Sequence, residues 1–322
     1  MEISMPKIRV GVLRGGISPE YDVSLQTGGT ILEHLVGELS DKYKPVDLLI
    51  TKDGLWHMNG APVSIEKIHQ NVDVVWNALH GTYGEDGRAV AILRKFGIPY
   101  TGSDGMPAVS ALHKGLAKEF FLMHGIKTPL HETAIAPIGE FSDWEIHDIA
   151  RAKAREIFAK IPPSWVIKSL KGGSPLGIII AKTFTELEDT LFTLFKNKKD
   201  LIVEEFIEGR QITSGVIEHY RGQRHYALLP QDLSGEGVIS KFSSGEREEI
   251  ENLAQKIHQA FGLRHYSRSK FIIHPRKGIY TIETKALPEI TGNTAISHSL
   301  ESVGATLHHF IDHVIKLALD KK

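Results

Sequence analysis

The sequence contains no cysteine, carries almost no net charge and has no long apolar run. The lack of cysteine excludes disulfides, thiolate nucleophiles and cysteine-ligated metals, and it suits a reducing compartment. A formal net charge of −1 gives no reason to expect a nucleic acid or a membrane surface as a partner. No apolar run approaches the roughly 18 residues of a membrane helix, and the chain enters a strand too early for a signal peptide. We therefore expect a soluble cytoplasmic protein.

The N-terminal part alternates apolar strand-like runs with helical periodicity. Strands are predicted at residues 8–13, 46–50 and 72–76, and a helix is predicted at residues 23–36. Such alternation predicts a parallel sheet with right-handed crossovers. With 322 residues the chain is long enough for two or three packed units, so the predicted fold class is α/β with a doubly wound N-terminal domain.

A glycine-rich loop at residues 77–87 lies between the third strand and an apolar-periodic segment at residues 89–96. Open α/β sheets bind ligands where a parallel strand ends and a helix begins. Its glycines allow close backbone approach, while His80, Glu85 and Asp86 supply hydrogen bonds and charge. The loop is therefore either a ligand-binding segment or a tight turn with a capping aspartate.

A second glycine-rich loop, residues 168–177, lies between predicted strands at residues 164–168 and 178–180. Backbone N–H groups in such a loop bind anions, and its lysines add positive charge. The loop lacks the Gly-Lys-Ser/Thr spacing of a Walker motif, and no helix begins there. These features indicate a phosphate-binding hairpin.

Five segments together resemble the signature of the D-alanine–D-alanine ligases, which are ATP-grasp enzymes. They are residues 14–25, 77–87, 97–103, 168–177 and 203–209. These segments occur in the family's order and cover nearly the whole chain. The resemblance implies a three-part ATP-grasp architecture, with an N-terminal domain at 1–102, a central subdomain at 103–210 and a C-terminal subdomain at 211–322.

The activity that the resemblance implies is ATP-dependent ligation of D-alanine, through an acyl-phosphate, in peptidoglycan precursor synthesis. Glu20 would hold the amino group of the first D-alanine, His80 would contact the acyl-phosphate, Ser174 would steady substrate and loop, and Arg268 would clamp the developing oxyanion. Glu20 also has a simpler interpretation as a first-turn acid favoured by the helix dipole. The implied partner is D-alanine or a similar small molecule, and a homodimer is compatible with the family.

The resemblance also implies an ATP site. Lys114 and Lys168 would hold phosphates, Glu204 would accept the adenine amino hydrogen, and Phe206 and Ile207 would offer surface to the ring. Gln211 stands where the family has a glutamate that holds the ribose, so one charge-assisted hydrogen bond is lost. For Lys114 and Lys118, spaced i,i+4 on a predicted helix at residues 112–124, the alternative is a solvated helix face.

The metal site implied by the resemblance is altered. Glu283 is retained, but Lys270 and Lys285 replace an aspartate and an asparagine, and Glu289 replaces an oxyanion-binding glycine. An ammonium is never a ligand of Mg²⁺, so these residues argue against Mg²⁺ binding. The alternative is that both lysines lie on the surface, although period-2 alternation puts Lys270 on one face with Arg268, and Lys285 on one face with Glu283.

The predicted lid loop also bears on activity. Residues 231–245 contain no tyrosine and are shorter than the family's lid loop, which predicts a mobile connection that cannot cover the site. A rival to the ligase is therefore a non-catalytic homologue that binds a nucleotide, a small ligand or a protein.

A predicted C-terminal helix at residues 300–319 carries His308, His309 and His313, either as a solvated face or, for the pair His309 and His313, as metal ligands.

Overall fold

The computed structural model describes residues 6–172, 177–233 and 242–320. The α-helices in these ranges are α1 (Tyr21–Val36), α2 (Ile65–Asn71), α3 (Arg88–Lys95), α4 (Gly105–Leu112), α5 (Lys114–Met123), α6 (Asp143–Lys160), α7 (Phe184–Lys196), α8 (Ser244–Phe261), α9 (Ala295–Ser302) and α10 (Leu307–Leu319). The strands are β1 (Ile8–Gly15), β2 (Tyr43–Ile50), β3 (Trp56–Met58), β4 (Ala61–Pro62), β5 (Val74–Asn77), β6 (His131–Ala134), β7 (Trp165–Ser169), β8 (Ile179–Ala181), β9 (Leu201–Glu205), β10 (Arg210–Glu218), β11 (His225–Ala227), β12 (Gln231–Asp232), β13 (Tyr266–His274) and β14 (Gly278–Lys285).

The chain divides into two compact units. Unit 1 comprises Met1–Leu112, Ile212–Lys270 and Thr284–Lys322, and unit 2 comprises His113–Gln211 and Phe271–Glu283. The three-part division at 102/103 and 210/211 stays a prediction. Within the described ranges, none of the helices combines the length and apolar content that a membrane span requires.

The N-terminal sheet of unit 1 has the strand order β4-β3-β2-β1-β5. Strand β1 pairs in parallel with both β2 and β5, which confirms the predicted parallel sheet. The antiparallel additions β3 and β4 were not predicted. Because β1 and β5 run in the same direction, the loops that follow them leave the sheet at the same edge, as expected for a ligand-binding edge.

The core of unit 1 joins the beginning of the chain to its end. The fully buried Trp76 on β5 lies with its ring centroid 6.1 Å from that of Tyr266 on β13 and 6.2 Å from that of Phe310 on α10. Val10 and Val12 of β1 belong to the same apolar cluster. Each of these large side chains contributes about 1.5–3 kcal/mol of burial free energy, so the loops after β1 and β5 are anchored in a rigid frame.

Unit 2 contains a sheet of the order β6-β9-β7-β8. Strands β7 and β8 pair antiparallel, as the predicted hairpin requires, and β7 also pairs antiparallel with β9. Helices α6 and α7 contribute Ile157 and Leu191 to an apolar cluster with Trp165 of β7. The predicted helix at residues 112–124 corresponds to α5, whose N-cap His113 accepts a hydrogen bond from the backbone N–H of Leu116.

The prediction of a single C-terminal helix at residues 300–319 is wrong. The structure has two helices there, α9 and α10, because Gly304 adopts a left-handed conformation with φ of 67° and Thr306 begins a new helix as its N-cap. The side chain of Thr306 accepts the backbone N–H of His309. Glycine is the residue that most readily takes this conformation at a helix end, so the break has a local cause.

Candidate functional site

The loop after β5 holds His80 in a buried position with defined partners. Its Nε2 lies 2.9 Å from Thr27 Oγ1 of α1, and its carbonyl accepts a hydrogen bond of 2.6 Å from Ser18 Oγ. The Nδ1 atom is buried without a well-aligned hydrogen bond, and the Leu287 backbone is close enough to interact with the ring. Burial, aided by the Lys285 ammonium, lowers the pKa of His80 to about 4, so the imidazole is neutral at pH 7. A neutral, oriented imidazole is suited to contact a ligand.

Two glutamates approach the backbone of Gly81, which follows His80. Glu85 Oε1 accepts the Gly81 N–H at 2.9 Å. Gly81 has φ of 70°, and a Cβ built on it would lie 2.4 Å from Glu20 Oε2. Burial raises the pKa of Glu85 to about 7, although the Lys285 ammonium and the Gly81 N–H oppose this. Only glycine combines this backbone conformation with the close approach of Glu20.

Lys285, at the end of β14, is the cation of this group. Its Nζ lies 3.3 Å from Glu289 Oε1. Burial opposes its charge, but the carboxylates of Glu85 and Glu289 outweigh burial and raise the pKa of Lys285 above its ordinary value, with Glu20 adding to the effect. Burial likewise opposes the charge of Glu289, and Lys285 holds the pKa of that carboxyl below its usual range. Lys285 is therefore protonated and engaged with carboxylates.

Arg268 and Lys270 lie two residues apart on β13 and are half-buried, while Ser269 between them is buried. Ser269 donates to Thr284 of β14, so the two strands present Arg268 and Lys270 on the opposite face. Arg268 contributes to the electrostatic environment of His80 and Lys285. The predicted shared face is therefore confirmed for Arg268 and Lys270.

The expected Mg²⁺ site is not supported by its donor atoms. Glu283 lies on β14 and offers a carboxylate, but the other two positions offer the ammonium groups of Lys270 and Lys285. Mg²⁺ requires hard oxygen ligands, and protonated amines can only repel it. The side chains at these three positions therefore do not fit a protein-bound Mg²⁺ ion.

In unit 2, Glu204 of β9 lies between two lysines. Lys168 Nζ of β7 is 2.6 Å from Glu204 Oε2, and Lys118 Nζ of α5 is 3.1 Å from Glu204 Oε1. Burial disfavours the charged carboxylate, but the two ammonium groups outweigh it and lower the pKa of Glu204 to about 2. Lys168 and Glu204, both predicted to bind nucleotide, are thus direct neighbours in a buried cluster, and the Glu283 carboxylate also acts on Lys118.

Lys118 is a residue of this cluster whose role the sequence did not predict. Only 1% of it is exposed, and its Nζ also donates to Thr128 Oγ1 at 2.8 Å and to the carbonyl of Ile282 at 3.0 Å. The alternative interpretation, in which this residue lies on a solvated helix face, is therefore wrong for Lys118. The i,i+4 spacing from Lys114 was the available signal, but spacing does not tell whether a helix face meets solvent or a neighbouring strand.

The remaining residues that were predicted to bind nucleotide differ in their exposure to solvent. Lys114 is half-buried, and its Nζ donates to the carbonyl of Gly172 in the glycine-rich loop at 2.8 Å. Ile207 is buried, whereas Phe206 is 43% exposed and Gln211 is exposed. The predicted Ser174 lies outside the described residues, as do residues 234–241 of the predicted lid. The described part of that stretch includes β12, which pairs with β10.

The histidines of α10 have other roles. His309 Nδ1 lies 2.9 Å from Thr306 Oγ1 at the helix start, and His313 Nε2 lies 2.7 Å from the carbonyl of Glu218. His309 is exposed, while His308 and His313 are half-buried. Because His309 and His313 have separate partners, the structure does not support them as a metal-binding pair.

Solved structures first establish the class of fold. The D-alanine–D-alanine ligase from Coxiella burnetii matches with a TM-score of 0.81 at 22% identity, covering 98% of this chain and 96% of that one. The D-alanine–D-alanine ligase from Bacillus anthracis, solved in complex with ATP, matches with a TM-score of 0.77 at 22% identity, covering 97% of each chain. The protein therefore has the α/β ATP-grasp fold of these enzymes.

Sequence comparisons then give the family. Residues 59–103 match the model described as "D-ala D-ala ligase N-terminus", and residues 132–228 match "D-ala D-ala ligase C-terminus". The D-alanine–D-alanine ligase of Fervidobacterium nodosum is 30% identical, with 97% of this chain and 99% of the relative covered. The chain belongs to the D-alanine–D-alanine ligase family.

Proposed function

We propose that the protein is an ATP-dependent carboxylate–amine ligase that acts on D-alanine or a close analogue. The observation that carries this proposal is the buried, neutral His80, which Thr27 and Ser18 hold in place. This residue belongs to the loop that carries the family resemblance, and Glu20, Lys285 and Arg268 lie around it in unit 1. Family membership supports the same reaction.

An amino acid substrate carries an ammonium and a carboxylate, and unit 1 offers a partner for each. Glu20 would accept hydrogen bonds from the ammonium of the first D-alanine, in the position that Gly81 permits. Arg268 would bind the carboxylate and later the oxyanion through its planar donors. His80, neutral at pH 7, would donate from Nδ1 to the acyl-phosphate.

The nucleotide would bind to residues of unit 2. Lys114 and Lys168 would neutralise phosphate charge, Glu204 would accept the adenine amino hydrogen, and Ile207 and Phe206 would contact the ring. Gln211 would bind the ribose with one neutral hydrogen bond. Ser174, in the glycine-rich loop, would steady the substrate.

The proposed reaction has two steps. The carboxylate oxygen of the first D-alanine attacks the γ-phosphorus of ATP, so that an acyl-phosphate forms and ADP leaves. The neutral amine of the second D-alanine then attacks the acyl carbon, a peptide bond forms, phosphate leaves with the electrons of the broken C–O bond, and the nitrogen releases one proton to the departing phosphate. Arg268 would stabilise the oxyanion that forms after the amine attacks and before phosphate leaves. The enclosed His80 would orient the phosphate. Action in the cytoplasm, where ATP is available, and assembly as a homodimer are part of this proposal.

A second candidate is favoured by the contact between Lys285 and Glu289. These residues replace an asparagine and a glycine of the resemblance, and their ion pair puts an acid where negative charge would develop. A homologue with this arrangement would bind a nucleotide or an amino acid but ligate slowly or not at all.

One experiment distinguishes the candidates. Purified protein is incubated with ATP, Mg²⁺ and D-alanine, and both ADP and dipeptide are measured, with L-alanine as the control substrate. A ligase gives ADP and D-alanyl-D-alanine in equal amounts, and His80→Asn lowers kcat by about 10²-fold. ATP binding by calorimetry without any D-alanine-dependent ADP release would support the binding protein instead. A result that shows no ATP binding and no turnover would refute both candidates.

The lysines give this proposal a specific metal dependence. Two ammonium groups carry the same total charge as one Mg²⁺ ion but cannot reproduce its octahedral geometry. We therefore expect the affinity for nucleotide to be nearly independent of Mg²⁺, and Lys270→Asp combined with Lys285→Asn to create a Mg²⁺ requirement. Calorimetric titration of ATP with and without Mg²⁺ measures this. A strong Mg²⁺ dependence in the natural protein would contradict the expectation.

A further inference from the structure

A second cluster of metal-ligating side chains lies in unit 1, formed by residues outside all the family motifs. Glu218 is the last residue of β10, and His225 is the first residue of β11. The two are paired across the antiparallel strands, after a 3-10 turn at Tyr220–Gly222. His258 projects from α8 toward them, and one ligand atom from each residue lies within 4.8 Å of the other two.

His258 has a buried nitrogen that its neighbours do not satisfy. The side chain is 0% exposed, and its Nδ1 lies 2.7 Å from Ser267 Oγ. Its Nε2 makes no hydrogen bond of normal length among the described residues and lies 3.7 Å from Glu218 Oε1, within ion-pair distance. If Nδ1 carries the proton, the Nε2 lone pair faces a carboxylate. If Nε2 carries it, the N–H faces the same carboxylate at 3.7 Å, a contact longer than a normal hydrogen bond.

A bound cation would resolve this arrangement. With Nδ1–H donating to Ser267, the Nε2 lone pair is oriented toward the space that it shares with Glu218, as metal-ligating histidines are usually oriented by a partner on the other nitrogen. Glu218 is itself oriented, because its Oε2 accepts the backbone N–H of His265 at 2.6 Å. The remaining oxygen, Oε1, is the one that faces His258.

The third ligand is able to adjust. His225 is half-buried, and the backbone beneath it is held by a 2.8 Å hydrogen bond from Gln255 Nε2 of α8 to its carbonyl. Its ring centroid lies 5.4 Å from that of His258. Ligands of tetrahedral Zn²⁺, at about 2.0–2.1 Å from the metal, lie closer together than 4.8 Å, so a small rotation of the imidazole would bring the three atoms into range.

We propose that Glu218, His225 and His258 form a binding site for a first-row divalent transition-metal ion, with Zn²⁺ as the preferred occupant. Two imidazole nitrogens and one carboxylate oxygen match the preference of Zn²⁺, whereas Mg²⁺ selects oxygen ligands. Three protein ligands leave the fourth position for water. A metal held there links the β10–β11 hairpin to α8, and its role is to stabilise unit 1.

The test uses the full chain, treated with EDTA, desalted and titrated with ZnCl₂ or MgCl₂ by calorimetry. We expect one equivalent of Zn²⁺ to bind and Mg²⁺ not to compete. Glu218→Gln preserves an acceptor for the His265 N–H, and His225→Ala removes a half-buried ring, so both variants should fold. Each should weaken Zn²⁺ binding by at least about 10-fold. His69→Ala, which removes an exposed imidazole of α2, is the matched control and should leave binding unchanged.

Thermal unfolding provides the second readout. Zn²⁺ should raise the Tm of the natural protein and of His69→Ala, because a ligand that binds only the folded state stabilises it. It should not raise the Tm of Glu218→Gln. Zn²⁺ binding that is equal in all variants, or no stoichiometric binding to the natural protein, would overturn the proposal. If His225→Ala proves unfolded by circular dichroism, Glu218→Gln decides the question.

Discussion

The buried carboxylate of Glu204 should be essential for the stability of unit 2. The change Glu204→Gln keeps the size of the side chain but removes the negative charge that faces Lys168 at 2.6 Å and Lys118 at 3.1 Å. With an effective dielectric constant of about 20, these contacts correspond to gross attractions of about 6 and 5 kcal/mol. Desolvation of the charges offsets much of this, and loss of one partner from a buried ion pair typically costs about 3–5 kcal/mol. We expect a loss in that range.

The chain offers a matched control in the same unit. Glu156 on α6 also lies between two lysines, 2.9 Å from Lys153 and 3.0 Å from Lys160, but its side chain is 44% exposed. Glu156→Gln should therefore cost less than about 1 kcal/mol. Urea unfolding measures both free energies without adding salt, and hydrogen exchange should show the loss in the amides of β7 and β9. Equal costs for the two variants would refute the reasoning.

The pH dependence of the Glu204→Gln variant separates charge from packing. Burial already lowers the pKa of Lys118 in the natural protein, and loss of the carboxylate lowers it further. The unfolded state then binds more protons than the folded state between the two pKa values of this lysine, so the stability of the variant should rise as the pH increases toward 10. A packing defect would give no such recovery.

Two further outcomes are expected in unit 1. Gly81→Ala should reduce D-alanine affinity by at least about 10-fold because its Cβ would displace Glu20. The control Gly97→Ala, at a similar φ of 65° and with no atom within 4 Å of the added Cβ, should carry only the backbone strain of about 1 kcal/mol. Equal D-alanine affinities of the two variants by calorimetry would contradict this. For Glu85, whose folded pKa of about 7 exceeds the unfolded value, stability should fall as the pH rises from 5 to 8, by up to about 3 kcal/mol. Glu85→Gln should abolish this fall in urea unfolding, and an unchanged slope would show that another group is responsible.

The sequence predicted those features that depend on local pattern or on motif. The apolar runs predicted the strands β1, β2 and β5, and parallel pairing followed from the alternation with helices. The resemblance predicted that Lys168 and Glu204 belong together, and the structure places them 2.6 Å apart.

Features that depend on long-range contact were not predicted. Lys118 was recognised only through its spacing from Lys114, since helical periodicity does not show what a face packs against. Lys285 is surrounded by carboxylates, and one of them, Glu85, is distant in sequence, so no pattern links the two. The pairing of Glu218 with His225 had a usable signal, because a short turn with Gly222 at φ of 79° brings the two strand ends together.

The charges in the two units favour different ligands, and this bears on the choice between catalysis and binding. In unit 1, Lys285 and Arg268 contribute positive charge, and Glu20 and Glu289 contribute negative charge. Glu85, with a pKa of about 7, is partly ionised, while the pKa of about 4 keeps His80 neutral. A group with charges of both signs suits a zwitterionic amino acid. In unit 2, Lys118 and Lys168 lie beside Glu204, and the Glu283 carboxylate also acts on Lys118. In the proposed function, recognition of an amino acid and of a nucleotide would rest on separate sets of residues. The substitutions at the metal positions would then act on phosphoryl transfer, so binding of both ligands would persist even where ligation is slow.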